Sequence, residues 1–313
     1  QPLDTIVPLC KASGSDDIVT QWDGPTCERR GLLKMDFLGL RTLSTIERTR
    51  QLIFGALSED AIWDAVGQTP PDGGQSDDRP HPLDLDRLEF EDTRVLSLFQ
   101  RGDTDGVFQF ESDGMRRLLI DMVPDCLEDL IAANALFRPG PMDLIPDYVN
   151  RKHGRQAVPK VHEIVDTFTA ETCGIMVYQE QVMQVLHHLG DIPLRKAYTI
   201  IKAISKKKVE VIDSARSDFI EGAGKRGIVE QQSNELFDLI LKFAGYGFNK
   251  SHSTGYAIVA YQTAYLKTYF PAFYMAALLT FESQAKKVED WFGYMDGCRR
   301  VPWPDSNETT PHV

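Results

Sequence analysis

The stretch Gly31-Leu-Leu-Lys-Met-Asp-Phe-Leu-Gly-Leu-Arg-Thr-Leu43 contains a change in the periodicity of the sequence. From Gly31 to Leu40, apolar and polar residues alternate around Lys34 and Asp36, which is the spacing of a β-strand. From Arg41 onward the apolar residues follow helical spacing instead. The first helical stripe consists of Leu43, Ile46, Leu52 and Ile53. The stretch therefore predicts a short β region that leads directly into a helix.

The sequence on either side extends this division. Two brief apolar runs, Asp4–Leu9 and Asp17–Trp22, predict further short strands. Helical patterns dominate up to about Phe281, and residues 66–92, rich in Gly, Pro and Asp, predict an exposed connecting loop. We therefore expect a mostly helical α+β fold. Its expected parts are a small β piece in residues 1–40, a large helical body in residues 41–285, and a following region or loose tail in residues 286–313.

The composition is that of an ordinary globular protein. The longest apolar run, Tyr256–Phe281, is interrupted by Gln262, Lys267 and Pro271, so it predicts a buried helix rather than one that crosses a membrane. The five cysteines are far apart and form no C-x-x-C pair, which favours a reducing cytoplasm over a disulfide framework or a zinc site. The chain starts with neither a methionine nor a signal peptide, so we expect it to be the middle of a longer protein.

The charge is unevenly distributed along the chain. The formal net charge is -12, which argues at first against a nucleic-acid partner. Residues 151–267, however, contain 16 Lys and Arg against 12 Asp and Glu, so the acidic excess lies outside them. A moderately basic segment of this kind can form a local phosphate-binding surface, although such charges are usually solvated.

Lys34 and Asp36 share one side of the predicted strand, because side chains alternate along a strand. Met35 and Phe37 are then expected to face a core. A carboxylate beside an ammonium group could hold a metal ion and a phosphate, respectively. A surface ion pair on an edge strand is the alternative, and the spacing alone favours that alternative.

Six further blocks follow the opening stretch in a fixed order. They are Gly106-Val-Phe-Gln-Phe-Glu-Ser-Asp-Gly-Met115, Ala135-Leu-Phe-Arg-Pro-Gly-Pro141, Tyr148-Val-Asn-Arg-Lys-His-Gly154, Gly174-Ile-Met-Val-Tyr-Gln-Glu-Gln-Val-Met183, Lys206-Lys-Lys208 and Phe243-Ala-Gly-Tyr-Gly-Phe-Asn-Lys-Ser-His252. Together with residues 31–43, these blocks resemble the bacterial C-family replicative DNA polymerases, the alpha subunits of DNA polymerase III. The resemblance covers roughly residues 3–300 and corresponds to the end of the palm followed by the fingers.

The resemblance implies a DNA-directed DNA polymerase that transfers nucleotides from dNTPs to a primer 3′-hydroxyl in DNA replication. In this family three palm aspartates hold two Mg²⁺ ions, and Asp36 stands where the third is expected, as a catalytic residue and metal ligand. The other two belong to an Asp-x-Asp strand that does not precede Asp36 here, so we expect this chain alone to be inactive. Expected partners are primer–template DNA, dNTPs, the remaining palm, thumb and clamp-binding parts, and replicase accessory subunits, with no membrane.

Two alternatives remain open beside an enzyme. The chain could be a non-catalytic fragment that binds nucleotides or DNA, such as one piece of a split polymerase. It could also be a purely helical scaffold. Binding to a nucleotide or to primer–template DNA that weakens steeply with salt would favour the first two interpretations over the scaffold.

The glycine-rich block around Tyr246 and Phe248 combines flat aromatic faces with a close backbone approach. Asn249, Lys250 and His252 add donors that suit a phosphate. The alternative is a tight connection between helices, with the aromatic rings plugging the core. By resemblance, the block lies near the incoming nucleotide, so all five of these residues are predicted to bind it.

A third cluster lies on a predicted helix, where Tyr198, Lys202 and Lys206 share one face. Lys202 and Lys206, with Lys34, are predicted to bind the nucleotide, and Lys207 and Lys208 to bind DNA. A solvated basic helix end is the alternative. Many relatives have an arginine pair where this chain has Ile201 and Lys202. An ammonium group lacks the bidentate fork of a guanidinium group, so this difference bears on affinity for a triphosphate.

Two more polar residues are predicted to contact DNA. Arg138 precedes the rigid turn Pro139-Gly140-Pro141, where it could contact a phosphate or cap the adjoining helix. Gln179 opens a helix and could touch DNA. Gln109, Glu111 and Ser112 precede another helix, where capping is at least as good an explanation as contact with a ligand.

Overall fold

A computed structural model of the chain describes residues 2–71, 79–282 and 288–300. The chain divides into two compact units, residues 1–41 and residues 42–313. The larger unit is almost entirely helical, and the described residues contain a single two-stranded sheet in the smaller unit. The prediction of a mostly helical α+β fold is therefore confirmed.

The smaller unit is built around a short hairpin. Strand β1 (Leu9–Lys11) pairs antiparallel with β2 (Ile18–Thr20), and Cys10 lies opposite Val19. Helix α1 (Gly24–Arg29) follows, and its first turn is capped by the Asp23 carboxylate, which accepts a hydrogen bond from the Thr26 backbone N–H.

Two of the three predicted strands are corrected by the structure. Leu3–Thr5 forms a 3₁₀ turn and β1 begins only at Leu9, so the prediction for residues 4–9 is wrong for most of its length. Residues 32–40 have no regular secondary structure, and Phe37 is 88% exposed, so Met35 and Phe37 do not face a core. No described strand lies beside this segment, and alternation without a partner cannot satisfy the backbone hydrogen bonds of a strand.

The larger unit contains two hydrophobic cores. The first core is formed by helices from the two ends of the larger unit, before and after the segment that forms the second core. They are α2 (Arg41–Ala56), α3 (Glu59–Ala65), α4 (Thr93–Gln100), α5 (Asp113–Met122), α6 (Leu127–Leu136), α7 (Ile145–Lys152), α13 (Lys250–Tyr269), α14 (Pro271–Glu282) and α15 (Val288–Arg300). Helix α13 is central, since it packs against α4, α6 and α14. Its largest fully buried side chain is Tyr261, and burial of such a ring contributes roughly 1.5–3 kcal/mol.

The second core lies between the helices of the intervening segment. These are α8 (Glu163–Thr169), α9 (Gln179–Gly190), α10 (Leu194–Ser205), α11 (Val209–Lys225) and α12 (Glu230–Ala244). Phe219 and Phe237 are fully buried at its centre. The backbones of α9 and α11 approach closely at Gly190 and Gly222, where a Cβ on Gly222 would overlap the Gly190 carbonyl. The chain leaves the first core, forms the second and then returns.

The predicted buried helix across residues 256–281 is present as two helices. Helix α13 ends before Phe270 and α14 begins at Pro271, because proline disfavours helical backbone in the preceding residue but suits the first turn. The predicted exposed loop at residues 66–92 is partly wrong, since Leu83 and Leu85 are buried against the first core; residues 72–78 lie outside the described residues. The tail from Val301 also lies outside them. Within the described ranges, no helix is both long and apolar enough to span a membrane.

Candidate nucleic-acid interface

Arg138, Gly140, Tyr246 and Phe248 form a clasp between the turn after α6 and the turn before α13. The Arg138 guanidinium donates to the Ala135 carbonyl oxygen at 2.9 Å and to the Tyr246 carbonyl oxygen at 2.8 Å. Its carbon also lies 4.2 Å from the centre of the Phe248 ring, a cation–π contact. Partial burial lowers the pKa of Arg138, which nevertheless remains charged. Arg138 therefore caps the end of α6, which is one of the two roles that the sequence suggests for it.

Gly140 holds the other half of the clasp. Its φ is +101°, and a Cβ placed there would lie 2.5 Å from Cδ1 of the Tyr246 ring. Only glycine combines this backbone conformation with so close a contact. The Tyr246 ring therefore packs on the Gly140 backbone and is still 54% exposed.

The turn before α13 also contacts the segment that opens α9. The Phe248 N–H donates to the Val177 carbonyl oxygen at 3.0 Å, and the Gln179 N–H donates to the Phe248 carbonyl oxygen at 2.8 Å. The side chain of Gln179 is half-buried against Gly247. The motif around Gln179 and the motif around Phe248 are therefore in direct contact, which their separation in sequence did not indicate.

Asn249 and Lys250 are engaged within the protein. The Asn249 amide oxygen caps α13 by accepting from the His252 N–H at 2.8 Å, and its amide nitrogen donates to Glu180 Oε1 at 3.1 Å. Lys250 Nζ lies 2.6 Å from Oε2 of Glu171. These contacts are those of a tight connection between helices, which is the alternative that the sequence leaves open for this block. The assignment of both residues to a nucleotide remains a prediction.

An aromatic row continues from the clasp along α13. The ring centres of Phe248 and His252 lie 5.5 Å apart, those of His252 and Tyr256 4.2 Å apart, and those of Tyr256 and Phe108 5.1 Å apart. Together with Arg138, these rings line a cavity of about 600 Å³. We call it the aromatic cavity. Sequence analysis missed Tyr256 and Phe108, although Tyr256 follows His252 at helical spacing and could have been found from it.

Polar groups complete the wall of the aromatic cavity. The amide nitrogen of Asn134 is buried and makes no hydrogen bond with any described residue. Gln109 lies on the same wall with a φ of +66°, which is uncommon outside glycine. Glu111 accepts from the Tyr294 hydroxyl at 3.1 Å, and Ser112 caps α5, as the capping interpretation predicts. The cavity thus combines flat rings, one guanidinium group and amide donors.

The exposed side of α10 presents the third predicted cluster. Tyr198 is 44% exposed, and Lys202 Nζ lies 4.4 Å from the centre of its ring. Lys206, Lys207 and Lys208 follow at the end of the helix, where Lys207 has a left-handed φ of +52°. We call these five residues the basic face. Across the described residues, none of its four lysines has an acidic partner.

Ile201 lies on the opposite side of the same helix. It is 1% exposed and belongs to the second core. The apolar side chain of Ile201 therefore packs between α10 and its neighbours. Lys202, the next residue, is exposed.

Lys34 and Asp36 lie in the smaller unit as a surface ion pair. Lys34 Nζ is 3.0 Å from Asp36 Oδ1, and the two side chains are 60% and 66% exposed. The ion pair predicted as the alternative is therefore present, although the strand expected to carry it is not.

Comparison with known proteins gives two separate family matches along the chain. A family model described as the bacterial DNA polymerase III alpha subunit finger domain matches residues 73–227, and one described as the alpha NTPase domain matches residues 1–39. The chain belongs to the bacterial DNA polymerase III alpha subunit family. The resemblance to this family that the sequence suggested is thus confirmed.

Curated relatives agree with the family models. DNA polymerase III subunit alpha of Bacillus subtilis is 41% identical over 281 residues, which cover 90% of this chain and 23% of the relative. The subunits of Thermus aquaticus and Escherichia coli K12 are each 40% identical and cover 90% of this chain, with 22% and 23% of their own lengths matched. The chain spans about a quarter of the length of these polymerase III alpha subunits.

The described residues do not by themselves fit a site for two Mg²⁺ ions. Their only cluster of three Asp, Glu, Cys or His side chains within ligand distance is Asp125, Cys126 and Asp129. Lys152 Nζ already lies 2.7 Å from Asp129 and 3.2 Å from Asp125, so one ammonium group is already paired with both carboxylates of this cluster. Asp36 is not part of any such cluster. A lone carboxylate cannot hold two hard cations, so no metal-dependent step follows from these residues.

Proposed function

We propose that this chain forms the end of the palm, residues 1–40, and the fingers, residues 41–285, of a bacterial replicative DNA polymerase. The whole enzyme would transfer nucleotides from dNTPs to a primer 3′-hydroxyl on a DNA template. The basic face carries the proposal, because its four lysines have no acidic partner in the described chain and one of them, Lys202, lies over the exposed ring of Tyr198. Ammonium groups in such a row neutralise phosphates, and an exposed ring can stack on a base.

The aromatic cavity is the proposed binding place of the nucleotide base. Its volume of about 600 Å³ is within the usual range of small-molecule sites, roughly 300–1,000 Å³. His252 and Tyr256 offer faces on which a base can stack, and the unpartnered amide of Asn134 offers a donor to a base edge. Phe248 and Arg138 line the cavity, and Tyr246 accepts a hydrogen bond from Arg138 beside it. Asn249 and Lys250 hold the turn before α13.

The basic face is the proposed phosphate-binding surface. Lys202 and Lys206 are assigned to the triphosphate, and Lys207 and Lys208 to the DNA backbone. Arg138 and Gln179 are proposed as DNA contacts. That of Arg138 should have the lesser effect, because its guanidinium group already donates hydrogen bonds within the protein.

Catalysis is proposed for the whole polymerase. Asp36, with Lys34 beside it, would supply one metal-binding carboxylate to a Mg²⁺ site completed by further carboxylates. The other proposed partners are the remaining palm, the thumb, the clamp-binding region and replicase accessory subunits. The proposed compartment is the cytoplasm.

Calorimetric titration with dATP tests the proposed base site. The wild-type chain should bind dATP, and Tyr256→Ala should weaken binding about tenfold or more, because stacking of one base on an aromatic ring contributes ~1–3 kcal/mol. Phe54→Ala is the matched control, since Phe54 is an exposed ring that does not line the cavity. Equal affinities of wild type and Tyr256→Ala, or no binding by the wild type at millimolar dATP, would contradict the assignment of the base to this cavity.

A further inference from the structure

Lys267 is an ammonium group enclosed in the first core. Its side chain, on α13, is 0% exposed, and its Nζ donates to the carbonyl oxygens of Asp103 and Asp105, each at 2.8 Å. The carboxylates of these residues form ion pairs elsewhere, with Arg101 and Arg116 respectively. Enclosing a charge in a core is unfavourable unless the charged group is strongly hydrogen-bonded. The two carbonyl oxygens supply those hydrogen bonds, and the lysine in turn fixes the position of the backbone that carries them.

The two carbonyls belong to a loop, residues 103–112, that other buried side chains also fix. The Tyr274 hydroxyl donates to the Gly106 carbonyl oxygen at 2.7 Å, and the Phe108 N–H donates to the Thr263 hydroxyl at 3.2 Å. Thr263 and Tyr274 are, like Lys267, 0% exposed. The anchors of this loop are therefore three buried polar groups on α13 and α14.

The loop has a conformation that needs anchoring. Gln109 has a φ of +66°, and a residue other than glycine in this region costs about 1–3 kcal/mol. The same loop carries Phe108, whose ring lies 5.1 Å from that of Tyr256, and both Phe108 and Gln109 line the aromatic cavity. Without its anchors, the loop would relax and this wall of the cavity would move.

We propose that Lys267 is a positioning residue: its buried ammonium group fixes the backbone of residues 103–112 so that Phe108 and Gln109 form one wall of the aromatic cavity around the base of a dNTP. The identity of the ligand in this inference rests on the proposed function. The anchoring of the loop rests only on the hydrogen bonds of Lys267.

The surroundings of Lys267 add a pH dependence to this anchoring. The charged and titratable groups that face it are Asp103 and Asp105 in the loop, Arg116 on α5 and Cys298 on α15. Burial lowers the pKa of Lys267 to about 8, and the two aspartates oppose that effect. Opening of the loop to water would return the pKa of Lys267 towards its ordinary value of 10.5. Between pH 8 and 10.5 the open state therefore binds more protons than the closed one, so raising the pH should disfavour opening.

Hydrogen–deuterium exchange of the 313-residue chain tests the anchoring directly. Lys267→Met should accelerate exchange in residues 103–112 about tenfold or more, because the carbonyls lose a charge-assisted donor. It should also weaken dATP binding about fivefold or more through the displaced wall. Gln262→Leu is the matched control: this buried side chain on the same helix donates to the Leu85 carbonyl oxygen, outside the cavity, so the loop should keep its wild-type exchange.

A pH series separates positioning from general packing. After correction for intrinsic exchange rates, protection of residues 103–112 in the wild type should rise between pH 8 and pH 9.5. The same protection in Lys267→Met should not change. Tyr274→Phe, which removes one hydroxyl that holds the same loop, provides a second and milder variant if Lys267→Met does not fold.

Two outcomes would overturn the proposal. One is unchanged exchange of the loop in Lys267→Met or, if that variant does not fold, in Tyr274→Phe. The other is an acceleration spread equally over all helices of the first core, which would indicate general destabilisation. If the wild type binds no dATP while the loop is loosened as expected, the proposed nucleotide site fails and the anchoring of the loop is upheld.

Discussion

The clasp together with the adjoining Asn249 and Lys250, here called the clasp region, contains residue types similar to those of the basic face. The two regions differ in whether their polar groups already have partners within the protein. In the clasp region, Arg138, Asn249 and Lys250 direct their polar groups to carbonyl and carboxylate oxygens of the protein. On the basic face, Lys206 and its neighbours have no acidic partner among the residues described. The same chemistry thus maintains the fold in one place and remains available to a ligand in the other.

This difference indicates how each region should respond to substitution. A change in the clasp region should lower the free energy of unfolding, because it breaks contacts that already exist. A change on the basic face should leave that free energy nearly unaltered and weaken binding to phosphates, because the relevant contacts form only with the ligand. The predictions below test this contrast in order of decreasing effect.

The largest effect is expected for Gly140→Ala. The new Cβ would meet the Tyr246 ring at 2.5 Å, with a backbone φ of +101° that alanine disfavours. We expect a loss of about 3 kcal/mol in the free energy of unfolding, measured by urea denaturation. Gly245→Ala is the control in the adjoining turn, where φ is -65° and a Cβ would meet nothing within 4 Å. Equal losses in the two variants would show that the clasp has no steric requirement for glycine.

A comparable effect should appear in the pH dependence of stability. Burial lowers the pKa of Lys267 to about 8 from an ordinary value of 10.5, so between these limits the unfolded chain binds more protons than the folded one. Wild-type stability should therefore gain on the order of 3 kcal/mol from this residue as the pH rises from 8 to 10.5. Lys267→Met should lack this gain.

The measurement is urea denaturation of wild type and Lys267→Met at several pH values. The difference in unfolding free energy between the two proteins should shift in favour of the wild type as the pH rises. Lys202→Met, on the exposed basic face, is the control and should follow the wild type in parallel. Parallel curves for Lys267→Met as well would contradict the burial of a charged lysine.

Asn249→Ala should have a smaller effect. It removes the cap of α13 and the contact with Glu180, and loss of an N-cap side chain costs about 1 kcal/mol. Asn249→Ser, which can still cap the helix, should recover most of this loss in thermal denaturation. If Asn249→Ala instead lost dATP affinity at unchanged stability, the residue would belong with the ligand-binding groups and the contrast between the regions would fail.

The smallest effect is expected for Lys207→Gly on the basic face. Lys207 has a φ of +52°, which glycine adopts without strain, so the variant should gain about 0.5–1 kcal/mol in stability. Lys206→Gly, at an adjoining residue whose φ is -94°, should gain nothing. A loss of stability in Lys207→Gly comparable to that in Lys206→Gly would show that the Lys207 side chain makes contacts that stabilise the fold.

Much of the helical architecture could be predicted from periodicity, although residues 256–281 were expected to form one helix and form two, divided at Pro271. The strand around Asp36 could not, because alternation describes a strand only when another strand lies beside it. Asn249 and Lys250 were assigned by residue type to a ligand, since their partners Glu180 and Glu171 are 69 and 79 residues away in sequence. Lys267 was visible only as an interruption of an apolar run. Its role depends on loop carbonyls that no sequence pattern marks.

The salt dependence of DNA binding tests the central claim, that the basic face binds phosphates. Binding of fluorescent primer–template DNA should be compared between the wild type and Lys202→Gln/Lys206→Gln/Lys208→Gln. The control, Lys160→Gln/Lys225→Gln/Lys242→Gln, removes the same charge from exposed lysines elsewhere. The account predicts that the slope of log affinity against log salt falls in magnitude by about 2–3 in the basic-face variant, at roughly one for each lost phosphate contact, and stays at the wild-type value in the control. Equal slopes in the wild type and the basic-face variant would contradict it.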